Sequence, residues 1–213
     1  MQKETHPLDL RGLKRGDAGS VQVLHDLVLA GLNRPDWVRP EAPDFFAPVL
    51  EEGLSLGLFA GDSLQGYALL QRRLEPGDDP GPKIGLAGKA FGKLCGCSVA
   101  PAWRGYGAQA QLSRARIALG RSNGLTRFFA TAAPGNVASW LSLLRAGMSI
   151  ATLGEKYGGS LRYTLVLTEG EAFGAGTWCD SHNLAEQSRL LDQGWRGTDA
   201  QDGRILFHRW RLI

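Results

Sequence analysis

The spacing of apolar residues along this chain switches repeatedly between a period near two and a period near 3.6, and each switch marks an element. Residues 8–13 alternate as a half-buried strand does, and Asp17 supplies an N-cap before Val21, Leu24, Leu27, Val28 and Leu32 recur at helical spacing. Pro35, Pro40 and Pro43 keep the connection around Trp37 irregular, and a short second helix is predicted over 44–52. Residues 54–60 and 64–73 read as two strands joined through Gly61-Asp62, a strong hairpin signal. The stretch 75–93 is rich in Gly, Pro and Asp around Asp78-Asp79-Pro80-Gly81-Pro82, which predicts a mobile loop. A strand over 94–99 breaks at Pro101 and restarts as a helix over 107–122. Gly124 stops that helix, and an apolar strand over 125–132 completes a right-handed crossover between parallel strands. A helix over 137–146 ends at Gly147, and 149–155 with 161–168 form a hairpin around Tyr157-Gly158-Gly159-Ser160. Gly170, Gly174 and Gly176 then read as a flexible join, 184–191 as a helix ended by Gly194, and 204–212 as a strand.

Composition narrows what such a pattern can be. With 213 residues, 43% of them hydrophobic, the chain can bury one good core, which predicts a single domain. The net charge of +3 is mild, and no run of Lys or Arg is dense enough to track a phosphate backbone, so a nucleic-acid partner is not expected. Cys95, Cys97 and Cys179 make an odd count. A Cys-x-Cys pair in one strand points both thiols the same way without a zinc spacing, so no metal site is expected, and free thiols fit a reducing compartment. Residues 1–7 lack the apolar stretch of a signal peptide, and no apolar run is long enough to span a bilayer. Together these predict a cytoplasmic protein with no membrane partner.

The chemistry is concentrated in Leu94-Cys95-Gly96-Cys97-Ser98-Val99-Ala100-Pro101-Ala102-Trp103-Arg104-Gly105-Tyr106-Gly107-Ala108-Gln109-Ala110-Gln111-Leu112. Gly105 and Gly107 carry no β-carbon to hold a ligand away, so successive N–H groups can converge on phosphate oxygens at the positive end of the following helix, with Arg104 as a fork-shaped cation. The loop lacks both the Gly-Lys-Ser/Thr ending of a P-loop and the third glycine of a dinucleotide fold. Its order, Val-x-Pro-x-x-Arg-Gly-x-Gly, resembles the acyl-coenzyme A motif of the GNAT superfamily of N-acetyltransferases. Gln109 departs from the family, which usually has glycine or alanine there. A second stretch, Asn136 followed by a helix and then Gly147-Met148, resembles the other GNAT signature, with Met148 in place of the usual aromatic residue.

The resemblance implies an α+β fold: a central mixed, mostly antiparallel sheet with a splayed parallel strand pair and flanking helices. It implies a GNAT domain over 1–168, leaving 169–213 as a helix–strand extension packed on the same domain. It also implies acetyl-CoA as co-substrate. Cys97, Ser98 and Val99 would lie along the pantetheine, Arg104, Gly105, Tyr106, Gly107, Ala108 and Gln109 around the pyrophosphate, and Asn136 and Ser139 near the arm. Asn136 reads equally well as a plain helix cap. The implied reaction is acetyl transfer to a primary amine of a small molecule, peptide or protein, directly within a ternary complex.

That chemistry needs a neutral amine, a site for the oxyanion and an acid for the departing thiolate. Many relatives place a glutamate on the strand before the loop and a tyrosine in the second helix, but residues 93–99 hold no carboxylate and Leu143 occupies the tyrosine position. Two readings stay open: a transferase that works by binding and orienting an already activated thioester, or an acyl-CoA-binding sensor or scaffold without catalysis. Tyr163 on the closing hairpin is the candidate catalytic residue, with Tyr157, Glu155 and His25 as alternatives; each also reads as an ordinary core or surface residue. Cys97 has no histidine near it in sequence and reads as a small cleft residue rather than a nucleophile. In the tail, Trp178, Trp195, Phe207 and Trp210 supply aromatic area for core packing or for a homodimer interface.

Overall fold

One twisted sheet runs through the computed structural model, which describes residues 8–75, 77–169 and 171–212. In chain order its elements are β1 (Asp9–Gly12), α1 (Ala18–Ala30), α2 (Phe46–Glu51), β2 (Leu56–Ala60), β3 (Ser63–Gln71), β4 (Gly92–Val99), α3 (Ala108–Ser122), β5 (Phe128–Ala132), α4 (Val137–Leu144), β6 (Ser149–Lys156) and β7 (Ser160–Leu167). The tail adds β8 (Glu171–Asp180), α5 (Leu184–Asp192), β9 (Trp195–Gln201) and β10 (Arg204–Leu212). The strands lie in the order β1-β2-β3-β4-β5-β7-β6-β9-β10-β8. Among the described residues β4 and β5 form the one parallel pair, and the other neighbours run antiparallel. The expected mixed, mostly antiparallel sheet is therefore observed, and no described helix is long and apolar enough to cross a membrane.

Both faces of the sheet are covered. On one face Leu70, Leu94, Phe128, Ile150 and Leu165 pack with Ile117, Trp140 and Leu190 from the helices. On the other, Tyr67 and Leu69 pack with Val21, Leu24, Val28, Phe46 and Leu50 of α1 and α2. The segment predicted to be a mobile loop completes this second face: Ile84, Leu86 and Phe91 are buried against Phe129, Ala151 and Val166. Each such burial contributes about 1.5–3 kcal/mol, which is why a Gly- and Pro-rich stretch is packed rather than mobile.

The tail corrects a second expectation. Gly174 and Gly176 lie inside β8 rather than in a flexible join, while Gly170 falls outside the described residues. A β-carbon at Gly176 would come within 2.7 Å of the His208 ring, so close approach and not flexibility requires glycine there. The segment 195–201 adds a strand that the alternation did not reveal, and β9 joins the sheet to β6 at Ile150↔Gly197. Ile205, Phe207, Cys179 and Leu190 share one core with Leu165 and Ile150, whereas Trp178 is 41% exposed with the Arg204 guanidinium 5.5 Å from its ring.

Candidate active site

The cleft begins where two parallel strands part. The β4–β5 ladder consists of Gly92↔Phe128 and Lys93↔Phe129, after which β4 continues to Val99 along β3 and β5 to Ala132 along β7 without pairing to each other. A β-bulge bends β4 here: Cys97 opposes Ala68 and Cys95 opposes Leu69, leaving Gly96 extra. A β-carbon on Gly96 would stand 3.2 Å from the Tyr67 ring, so glycine lets that ring pack beneath the bulge. The bulge also reverses the expected thiol geometry. Cys95 packs with Tyr67 and Leu69 on one face and Cys97 with Ala68 and Leu112 on the other. Burial pushes the Cys95 thiol up to about 12 and raises that of Cys97, so both are protonated at neutral pH.

Arg116 of α3, 1% exposed, holds the bulged segment. Its Nη1 donates to the carbonyls of Leu69 at 2.8 Å and Cys95 at 2.6 Å, while its Nε has no partner among the described residues.

Between the parted strands lies a cavity of about 620 Å³. Its lower wall is β4, with Cys97, Ser98 and Val99 facing it. The rim is the loop into α3, where Gly105 and Gly107 have φ of +87° and +75° and nothing lies within 4 Å of the β-carbon either would carry. The first intrahelical bond of α3 runs from Gln111 N–H to Gly107 O at 3.0 Å, and no side chain caps the helix. The N–H groups of Ala108, Gln109 and Ala110 are thus left to an external acceptor, the arrangement that binds anions. Arg104 Nε donates to Val99 O at 3.2 Å, which pins this cation beside the loop. Ala108 and Gln109 both line the cavity, and buried Ala110 does the packing next to Gln109. Opposite, Asn136 and Ser139 line the cavity from α4, and Asn136 Oδ1 caps that helix by accepting from Ser139 N–H at 3.3 Å.

Two candidate side chains stand outside the cavity. Tyr106 is 83% exposed and does not line the cavity, because its flanking left-handed glycines turn it into solvent. Tyr163 is 0% exposed, packs edge-on against Trp140, and donates to Gln187 Oε1 on the face of the sheet covered by α4 and α5, away from the cavity. Burial raises its phenol well above the ordinary value. Tyr163→Phe should destabilise the protein by about 1–2 kcal/mol in urea melts, since Gln187 Oε1 is left buried without a donor, and should leave coenzyme A affinity unchanged by calorimetry. Glu155 is exposed and also stands outside the cavity.

The polar groups that do meet lie on the opposite face, under α1 and the Trp37 connection. His25 Nε2 accepts from Glu41 N–H at 3.3 Å, which leaves Nδ1 as the protonated nitrogen, 2.8 Å from Tyr67 Oη. Burial lowers the His25 pKa against the opposing charge of Asp26, so the ring is neutral at pH 7. Burial raises the Tyr67 phenol, against a hydrogen bond from Ser98. Burial likewise raises Glu41, the one carboxylate lining the cavity among the described residues, although Arg39 lies 3.8 Å away and pulls the other way. Lys93 forms a buried ion pair with Asp78, and Tyr157 Oη sits 3.1 Å from Thr131 Oγ1. Among the described residues no cluster of His, Cys, Asp and Glu could hold a metal ion.

No protein-family model matches this chain, and no curated protein matches it in sequence. Its fold is similar to that of solved GNAT-family acetyltransferases. Among solved structures it is similar to a GNAT-family acetyltransferase from Streptococcus pneumoniae, with a TM-score of 0.57 and 14% identity over 76% of this chain and 99% of that one. It is also similar to a chain of the NatC complex bound to Gag peptide and CoA, with a TM-score of 0.58 and 13% identity over 76% of this chain and 98% of that one. A third likeness, at a TM-score of 0.53 and 16% identity, is to N-acetylglutamate synthase from Neisseria gonorrhoeae complexed with coenzyme A and N-acetyl-glutamate; it covers 75% of this chain and 34% of that one. At these identities the likeness is one of fold.

Proposed function

We propose that this chain is an acetyl-CoA-dependent N-acetyltransferase that acylates a primary amine by direct transfer in a ternary complex. The observation that carries this reading is the parted β4–β5 pair opening onto the uncapped N-terminus of α3, with left-handed glycines clearing the approach. The pantetheine lies along Cys97, Ser98 and Val99. The pyrophosphate takes the N–H groups of residues 105–109 with Arg104, and the Asn136 amide and Ser139 face the arm. Bound acetyl-CoA supplies an activated thioester whose thiolate is a tolerable leaving group. The transferase unit is residues 1–168, with 169–213 packed on the same domain.

The chain's own residues move the protons. Glu41 stands in for the glutamate that β4 lacks: a carboxylate whose pKa burial has raised is suited to accept the ammonium proton of the incoming amine. His25, neutral and donating from Nδ1, orients Tyr67, which stays protonated and is linked through Ser98 to the cavity, where the leaving sulfur needs a proton.

Calorimetric titration with acetyl-CoA, followed by thiol release against a panel of amines, tests the reading. Binding with acceptor-dependent release is expected, and Glu41→Gln should lower kcat about 100-fold at unchanged acetyl-CoA affinity. Binding without release across the panel would favour the sensor reading, and no binding would remove the cavity from consideration.

A further inference from the structure

We infer that the acceptor is an amine that itself carries a carboxylate, as an amino acid does, and that Arg162 receives that carboxylate. The inference rests on the transferase reading above and names its second substrate.

The first observation is charge. The cavity is lined by Arg39, Lys93, Arg104, Arg116, Arg145 and Arg162, six cations, against Glu41 as the one carboxylate among the described residues. A polycation such as a polyamine would meet repulsion there, whereas an anionic group is drawn in.

The second observation is that these cations are not equally committed. Lys93 is paired with Asp78, Arg39 with Glu41, Arg104 leans on the strand end beside the phosphate loop, Arg116 holds the carbonyls of the β4 bulge, and Arg145 is exposed at the end of α4. Arg162 is 7% exposed, and among the described residues its guanidinium meets main-chain carbonyls and no carboxylate: Nη1 donates to Leu161 O at 2.9 Å and Nη2 to Asp36 O at 2.7 Å. Unlike Arg116, whose Nη1 and Nη2 are taken up inside the fold by the β4 bulge and by Ser113 of α3, it grips no strand of the cofactor wall. The Asp36 carboxylate is exposed and is held by Arg34 at 3.1 Å, although its charge is felt at Arg162. A guanidinium cannot shed its proton to escape burial, so a cavity-facing arginine with donors to spare is completed by an anion from outside.

The third observation is placement. Arg162 opposes Gly154 on β6 and lies one residue beyond Tyr163, which opposes Ala132 at the end of β5. It therefore projects on the face of Thr131 and Tyr157 rather than toward the α3 loop. The Asp36 bond ties it to the Trp37 connection that carries Arg39 and Glu41. A carboxylate on Arg162 leaves the amine of the same small molecule inside the cavity that Glu41 also lines.

The test uses wild-type protein saturated with coenzyme A, titrated calorimetrically with L-amino acids, β-alanine, their carboxamides and putrescine. Carboxylates should bind at least about 10-fold more tightly than the matching carboxamides. In Arg162→Gln that ratio should fall to about one with coenzyme A affinity unchanged, and Arg162→Lys should keep part of it. Equal binding of carboxamides or putrescine by the wild type overturns the inference whatever the variants do, as does no binding of any of them. So does loss of coenzyme A affinity in folded Arg162→Gln, which would assign Arg162 to the cofactor phosphates. Carboxylate-selective binding without thiol release from acetyl-CoA would support the anion site and count against transfer.

Discussion

Gly107→Val should lower coenzyme A affinity at least about 100-fold while the protein stays folded. Gly107 is the residue before the first turn of α3, at φ +75°, and its missing β-carbon faces open space. A β-carbon there meets no protein atom within 4 Å, so the core is not the first thing disturbed. The left-handed conformation, however, costs an L-residue about 1–2 kcal/mol, and a β-branched one more. The loop relieves that strain by turning back to negative φ, which swings the N–H groups of residues 107–109 away from a common point. Losing two hydrogen bonds to a charged phosphate, at about 1.5–3 kcal/mol each, corresponds to about 100- to 10,000-fold in affinity. Gly124→Val is the matched control, because Gly124 has φ +83° in equally open space past the far end of the same helix. Calorimetry should find coenzyme A binding lost in the first variant and retained in the second, with similar falls in melting temperature. Equal affinities in the two would take the loop out of the site.

The glycine loop at one end of the cleft was legible because local sequence determines it. Pro101 ends a strand, Gly105 and Gly107 permit left-handed turns, and the helix follows within the same 20-residue stretch. The other end was not, since its contacts join residues distant in the chain: His25 to Tyr67, Lys93 to Asp78 and Arg162 to the carbonyl of Asp36. One signal was readable and passed over. Ala108, Leu112, Arg116 and Gly120 recur every four residues and are all buried, so a cation on an apolar helical stripe marked the group that grips β4. The opposite thiol faces trace to Gly96: alternation assumes an unbroken strand, whereas an interior glycine is itself a hint of a bulge. Gly174 and Gly176 misled for a related reason. Glycine permits flexibility and also permits close approach, and at Gly176 only the position of the His208 ring decides between them.

Asp78→Asn should cost about 3 kcal/mol of stability at pH 7. Lys93 is the last residue of β4 paired to β5, and with Asp78 it ties the 74–91 segment to the root of the cleft. Their side chains are 10% and 12% exposed, so the amide leaves an ammonium buried beside a neutral acceptor. The pH dependence identifies the cause. Burial pulls the Lys93 pKa down, but the hydrogen bond to Asp78, the charge of Tyr157 and that of Asp78 outweigh it, and the net pKa is raised. In the wild type this stabilisation is therefore complete below the unfolded lysine pKa near 10.4 and is lost as pH rises through the higher folded value. In Asp78→Asn burial dominates and the folded pKa drops below the unfolded one, so the unfolded chain binds more protons and stability climbs with pH. Urea melts at pH 7 and at about pH 10 should show the gap between the two proteins narrowing on the alkaline side. A gap that does not change with pH would mean that Lys93 is not the group left stranded. Combining Asp78→Leu with Lys93→Met should recover most of the loss, because removing both charges spares the desolvation that a lone one incurs.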